Sequence, residues 1–162
     1  LSNHSADYRN TLGIFPTGVT IITTLDKDGR EAGFTASSFN SVSLDPQLVL
    51  WSLAKSSSLL SVFENTESYA VHFLAADQTD ISNTFASPIL DRFAEVDWAL
   101  SDSKLPILAN CAAHLECASR HVYEGGDHLI FVGEVIHHQC DQDKKALVYH
   151  RGEYSECKPL GE

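Results

Sequence analysis

The chain has 162 residues, 43% hydrophobic and 20% charged, which suits one globular domain and excludes a disordered segment. Eleven Lys and Arg face 22 Asp and Glu, a formal net charge of -11. That balance excludes a general nucleic-acid binder and a polybasic membrane anchor, since both need a basic footprint. In chain order, residues 6–15 are expected to form a short helix. Thr17-Gly18 breaks it, and the β-branched run from Val19 to Leu25 predicts a strand. Asp26-Lys27-Asp28-Gly29 predicts a hairpin turn, because Gly accepts positive φ there. The return strand is expected over about 30–39, and Asp45-Pro46 then turns the chain into a strand at 48–53. Ser56, Ser57 and Ser58 precede the helical pattern Leu59, Leu60, Val62 and Phe63 and are candidate caps.

A strand at 69–74 leads to a helix at 77–85 capped by Asp77, then to an irregular stretch at 86–110. Two long strands are expected at about 112–123 and 128–138. In the second, Ile130, Val132 and Ile136 share one face and Phe131, Val135 and His137 the other. Both faces are largely apolar, which predicts a central strand. Short strands at 146–149 and 154–157 close the chain. No repeat or linker divides it, so residues 1–162 are read as one domain. The order lacks regular strand–helix alternation. It predicts a mainly β, antiparallel barrel with a few short helices, closure being what removes exposed edges.

No stretch approaches the roughly 18 apolar residues of a membrane helix. The opening LSNHSADYRN carries no apolar run, so no signal peptide is expected. With no Met in the sequence, the initiator is expected to be trimmed or to precede Leu1. Cys111, Cys117, Cys140 and Cys157 form no CxxC pair and are expected to be reduced thiols of a cytoplasmic protein.

Three stretches could carry chemistry. Between Thr35 and Ser61 lie ten hydroxyl residues, Ser37, Ser38, Ser52, Ser56 and Ser58 among them, in a stretch whose charges cancel. Hydroxyls and main-chain N–H groups suit a ligand rich in carbonyls, ring nitrogens or phosphate oxygens. Lys55 with the three serines before a helix could hold a phosphate. The plainer alternative is that these serines cap helices and face water. Gly125-Gly126-Asp127-His128 is good turn chemistry, and could also place Asp127 and His128 at a barrel rim where a second ligand docks. Tyr149-His150-Arg151-Gly152-Glu153-Tyr154 could stack on a planar ring or pair with phosphate, or could be a solvated turn. Neither Gly-x-Ser-x-Gly nor a Walker loop nor Gly-x-Gly-x-x-Gly is present. No metal site is expected, because His137-His138-x-Cys140 lacks a matching second cluster of ligands.

Taken together, Phe15-Pro16-Thr17-Gly18-Val19-Thr20, Gly33-Phe34-Thr35-Ala36-Ser37-Ser38-Phe39 and Ser41-Val42-Ser43-Leu44-Asp45-Pro46 begin an ordered set. Gly126-Asp127-His128, Val132-Gly133-Glu134-Val135 and Leu147-Val148-Tyr149-His150-Arg151-Gly152 complete it. The set resembles the short-chain flavin reductases, the small components of two-component flavin-dependent monooxygenases. The resemblance implies an antiparallel split β-barrel of Greek-key character that binds FMN or FAD. It further implies a homodimer, hydride supply by NADH or NADPH, and a transient partner monooxygenase. Neither nucleic acid nor a membrane nor a metal belongs to that picture. Carried onto this sequence, it implies that Thr35, Ala36, Ser37 and Ser38 line the flavin ring and ribityl chain, with Ser52 in the same hydroxyl-rich stretch. Pro16, Thr17 and Gly18 would approach the ring, and Lys55, Ser56 and Ser58 the phosphate. Asp127 and His128 would meet the nicotinamide nucleotide. Arg151 and Tyr154 would border the flavin, from this subunit or its partner. No catalytic side chain is expected, since the cofactors carry hydride transfer and the protein positions them. Two alternatives stay open: a flavin-binding electron-transfer module without nicotinamide chemistry, and an oxidoreductase like the pyridoxamine-phosphate oxidases.

Overall fold

The computed structural model describes residues 2–89 and 91–161. Helix α1 (Ser2–Leu12) is followed by β1 (Thr17–Gly18), β2 (Thr20–Leu25), β3 (Glu31–Ala36), β4 (Asn40–Leu44) and β5 (Gln47–Ala54). Then come α2 (Leu60–Asn65), β6 (Ser68–Phe73), α3 (Thr79–Ala86) and a single 3-10 turn at Phe93–Glu95. Strands β7 (Trp98–Leu100), β8 (Pro106–Leu108), β9 (Ala113–Gly125), β10 (His128–Cys140), β11 (Leu147–His150) and β12 (Glu153–Glu156) complete the chain.

The main sheet runs β3-β2-β6-β9-β10-β5-β4 with every pair antiparallel. Two small sheets, β1-β11-β12 and β7-β8, lie beside it. The expected mainly β architecture is present, and β10 is central, flanked by β9 and β5. The β2–β3 turn forms as its residues require. Gly29 takes φ 77°, and the Asp26 carboxylate accepts the N–H groups of Asp28 and Arg30 at 2.8 and 2.9 Å.

Strand β2 is buried on both faces, which explains its unbroken β-branched run. Ile22 enters one apolar cluster with Trp51, Phe63, Tyr69, Val71 and Phe131. Ile21 faces a second with Leu74, Phe85, Phe93, Leu108 and Leu147. In the first, Trp51 and Phe131 are directly paired across β5 and β10 and stack at 4.3 Å. Tyr69 and Phe63 meet the same indole edge-on at 5.1 and 5.2 Å. Fully burying each such side chain stabilises the fold by roughly 1.5–3 kcal/mol.

Four expectations are corrected. The return strand ends at Ala36, and a separate strand β4 follows after a break at 37–39. The stretch 86–110 is not irregular throughout: it holds the β7–β8 hairpin, which docks where the Thr23 hydroxyl donates to the Pro106 carbonyl at 2.6 Å. Asp77 does not cap α3. Gln78 occupies that position without a side-chain cap bond, and its amide instead accepts from the Ala75 N–H and donates to the Ala109 carbonyl. Likewise α2 is entered through Leu59 without a side-chain cap, and Ser57 Oγ accepts only the Leu59 N–H, at 3.2 Å.

Candidate functional site

The main sheet has an open seam. Strand β3 pairs with β2 alone, and β5 pairs with β4 only as far as Leu50, opposite Asn40. Among the described residues, 51–54 of β5 therefore have no strand partner on their β4 side, and neither does the outer edge of β3. Strand edges carry main-chain donors and acceptors that must find a partner, water or a ligand. A groove of about 300 Å³ runs along this seam, lined by Phe34, Thr35, Ala36, Ser37, Ser38, Ser52, Leu53, Ala54 and His128. Its volume lies at the small end of the range for ligand sites, and its walls are small or hydroxylated except for Phe34, Leu53 and His128.

The molecule has a larger hollow of about 710 Å³ between the β2–β3 turn and the Ser61–Ser68 region. Of its charged lining groups, Arg30 is held by Asp26, and none of its lining belongs to the hydroxyl-rich strands β3 and β5. The seam, by contrast, joins two edges that lack a strand partner and is lined by the hydroxyl-rich stretch, and it is the better candidate.

Thr35, Ala36, Ser37, Ser38, Ser52 and His128 were singled out from sequence, and the structure brings all six together. Two of their hydroxyls are turned inward. Thr35 Oγ1 donates to the Ser82 carbonyl of α3 at 2.7 Å. Ser38 Oγ accepts the Ser52 N–H at 2.9 Å and so makes one rung across the seam. Phe34, Leu53 and Ala54 also line the groove. Their only sequence signal was adjacency to the hydroxyl residues on the same strands. Arg92 was a further contributor: Nη1 donates to the Gly33 carbonyl at 2.6 Å, while Nε and Nη2 hold the Ser87 carbonyl. The guanidinium thereby fastens the segment after α3 to β3.

His128 opens β10 opposite Ala54 of β5. Its Nδ1 lies 2.7 Å from Asp127 Oδ1, and this hydrogen bond holds the Asp127 carboxyl below its usual range. With Nδ1 engaged, Nε2 is the ring atom left to meet a ligand. The turn itself carries Gly126 at φ 76°.

The remaining expected residues lie outside the groove lining. Lys55 leaves β5 at the rim, where its ammonium pairs with Glu124. Ser56 and Ser58 follow it, exposed, ahead of an α2 that has only six residues. Pro16, Thr17 and Gly18 run along the small sheet, with Thr17 opposite Tyr149 and Gly18 opposite Val148. Arg151 and Gly152 form the β11–β12 turn with φ 53° and 84°. Two positive φ values in a two-residue loop suit a hairpin whose twist matches its strands. Arg151 also donates its main-chain N–H to the Gly13 carbonyl at 2.9 Å. The Tyr154 hydroxyl reaches α3, meeting Ser82 Oγ and donating to Asn83 Oδ1, each at 2.9 Å. Ser82 thus holds both Tyr154 and Thr35, so the small sheet is linked to the groove through α3.

Comparison with known proteins agrees with this architecture. Residues 12–158 match the family described as flavin reductase like domain. A probable flavin reductase of Rhizobium meliloti is 44% identical over 146 residues, covering 90% of this chain and 47% of its own length. An NADH-dependent FMN reductase of Agrobacterium fabrum is 43% identical over 133 residues, covering 82% of this chain and 75% of its own. The solved structure of the NADH:FAD oxidoreductase of Streptomyces globisporus C-1027, in complex with NAD and FAD fragments, superposes with a TM-score of 0.93 at 36% identity, over 99% of this chain and 96% of that one. The chain spans only about half to under two thirds of the length of several curated relatives it matches. With 12–158 of its 162 residues inside the match, the chain belongs to the flavin reductase like domain family.

Proposed function

We propose that this chain is an NADH:flavin oxidoreductase, acting as one domain, that reduces FMN or FAD and hands the reduced flavin to a separate monooxygenase. The observation that carries the reading is the seam groove. It offers two unpaired strand edges, small hydroxylated walls and His128 at one end, in a chain of this family. Such a groove fits a planar, uncharged ring rich in carbonyls and ring nitrogens. Bound flavin supplies the redox chemistry, taking up hydride from the nicotinamide.

The chain supplies position. Residues 36–38 and 52–54 line the face that the ring would meet, and Ala36 and Ala54 keep the approach open. Donors fixed on strands need no reorganisation as negative charge grows on a bound ring. His128, oriented by Asp127, is the contact for the nicotinamide nucleotide. Lys55, Ser56 and Ser58 stand at the rim for a phosphate, with Lys55 first leaving Glu124. Pro16, Thr17, Gly18, Arg151 and Tyr154 border the flavin from the small sheet of this subunit or its partner. A homodimer is supported by the exposed apolar run Tyr8, Leu12, Ile14 and Phe15. A cytoplasmic setting is supported by four unpaired thiols, and no described helix is long and apolar enough to cross a membrane. The names of relatives from Agrobacterium fabrum and Streptomyces globisporus support NADH over NADPH, and one from Acinetobacter baylyi, a monooxygenase reductase component, supports the oxygenase partner.

The test is oxidation of NADH in air by pure protein, with and without added FMN or FAD. Turnover that depends on added flavin is the expected result. In His128→Ala, the NADH KM should rise with flavin affinity retained. Bound flavin with no NADH oxidation would overturn the nicotinamide reading and favour an electron-transfer module.

A further inference from the structure

We propose that His114, Glu116 and His137 form a binding site for a divalent transition-metal cation of the zinc class, at the end of the β9–β10 ribbon away from the groove. The proposal rests on this cluster alone and is independent of the flavin reading. One ligand atom from each residue lies within 4.8 Å of the other two. The three side chains line a hollow of about 720 Å³ together with Ser101 and Gln139. From His128 to His137 the strand runs nine residues, roughly 25–30 Å, so the cluster takes no part in groove chemistry.

The ladder explains how the three meet. His114 and Glu116 are two apart on β9 and share a face. Without irregularity, Ile136 would stand opposite Glu116. Instead Cys117 pairs with Val135 and Glu116 with His137, leaving Ile136 as an extra, bulged residue. The bulge turns Ile136 outward, where it is 55% exposed, and puts an imidazole across from the carboxylate. Bulges of this kind re-aim side chains. The second ligand cluster that His137 lacked in the sequence is supplied by β9.

Charge makes the same point. Glu116 is only 4% exposed, and the hydrogen bond found for its carboxylate comes from a neutral group, Ser101 Oγ at 2.9 Å. Among the described residues no salt bridge includes Glu116. A buried carboxylate without a cation is costly. Two imidazoles and a carboxylate suit zinc, cobalt, nickel or copper, and not magnesium or calcium, which prefer all-oxygen shells. Three protein ligands leave a position for water. Metal bonds of about 2.1 Å place tetrahedral donors roughly 3.4 Å apart, so the three donors, now within 4.8 Å of one another, must draw together on binding. His72, whose ring lies 6.3 Å from that of His114, cannot join. Its two nitrogens are held by the Ile21 carbonyl and the Leu108 N–H. The serine is the outer support, fixing the carboxylate as such partners do.

Titration of the full chain with Co²⁺, read by visible absorption, and with Zn²⁺, read by calorimetry, tests the assignment. One equivalent should bind, with an unchanged response to Mg²⁺. His114→Ala and His137→Ala should each weaken binding more than about 100-fold, and Ser101→Ala about tenfold. Cys140→Ser, which removes a nearby exposed thiol, should leave it intact. His137→Ala should keep the wild-type melting temperature in chelator and lose the rise that Zn²⁺ gives the parent. Absence of binding tighter than about 100 μM, binding indifferent to both histidine substitutions, or binding abolished by Cys140→Ser would overturn the proposal.

Discussion

A methyl group at Gly133 has nowhere to go. A Cβ there would lie 2.1 Å from the Tyr69 hydroxyl oxygen, 2.8 Å from its Cζ and 3.2 Å from the Ala118 carbonyl. Tyr69 is fully buried and is pressed edge-on to Trp51 at 5.1 Å, so its ring cannot swing aside. Overpacking of this kind costs about 3 kcal/mol. Relief of glycine's flexibility in a strand returns under about 1 kcal/mol. Gly133→Ala should therefore lose about 2 kcal/mol. With a urea dependence of about 2 kcal/mol per molar, the unfolding midpoint moves down by about 1 M. Tyr69→Phe removes the atom at 2.1 Å and keeps the one at 2.8 Å, so the double variant should recover about half of that loss. A double-mutant cycle in urea measures this coupling. A Gly133→Ala midpoint within error of the parent, or additive behaviour of the two changes, would refute the steric account of this glycine.

Thr35→Val should lower stability by about 1 kcal/mol through the lost bond to the Ser82 carbonyl. It should change flavin Kd less than about threefold, and a tenfold rise would mean that the hydroxyl binds flavin directly. Ser38→Ala frees the Ser52 N–H and opens the rung across the seam; flavin dissociation by stopped flow should quicken by about fivefold for the loss of about 1 kcal/mol of order. His72 is buried and neutral, its pKa pushed by burial from 6.5 to about 4. The unfolded chain takes up that proton first, so stability should be full above pH 6.5 and fall as pH drops through about 4, by about 3 kcal/mol in all. Urea melts in chelator should show this slope, and His72→Gln, weaker overall, should lose it. The charge of -11 repels anionic NADH, so raising salt from roughly 0.01 to 0.15 M should lower the NADH KM by about twofold.

What could be read from sequence follows physical range. The Asp26–Gly29 turn, the β-branched β2 and the central place of β10 are local signals and formed as expected, whereas the even alternation of β10 holds only to Val135, where the bulge at Ile136 breaks it. Strand β4 and the β7–β8 hairpin were not legible, because they are short and are held by pairing rather than by pattern. The hydroxyl-rich stretch located the groove. It could not tell that Thr35 and Ser38 would turn their hydroxyls to the protein, nor that Glu124, 69 residues on, would meet Lys55. The pairing of His137 with Glu116 depends on one bulged residue, Ile136. Alternation alone places that histidine on a face but cannot name its neighbour.

The open seam has a consequence for how this site tolerates change. Its lining is mostly small residues, and the strand edges behind them are the same whichever small residue carries them. Exchanging Ser37, Ser52 or Ala54 for another small residue should leave the shape of the groove standing. Proline differs, since it erases a donor outright. The gap between β3 and β5 should therefore survive exchange among small residues and close or distort only when the backbone itself is altered.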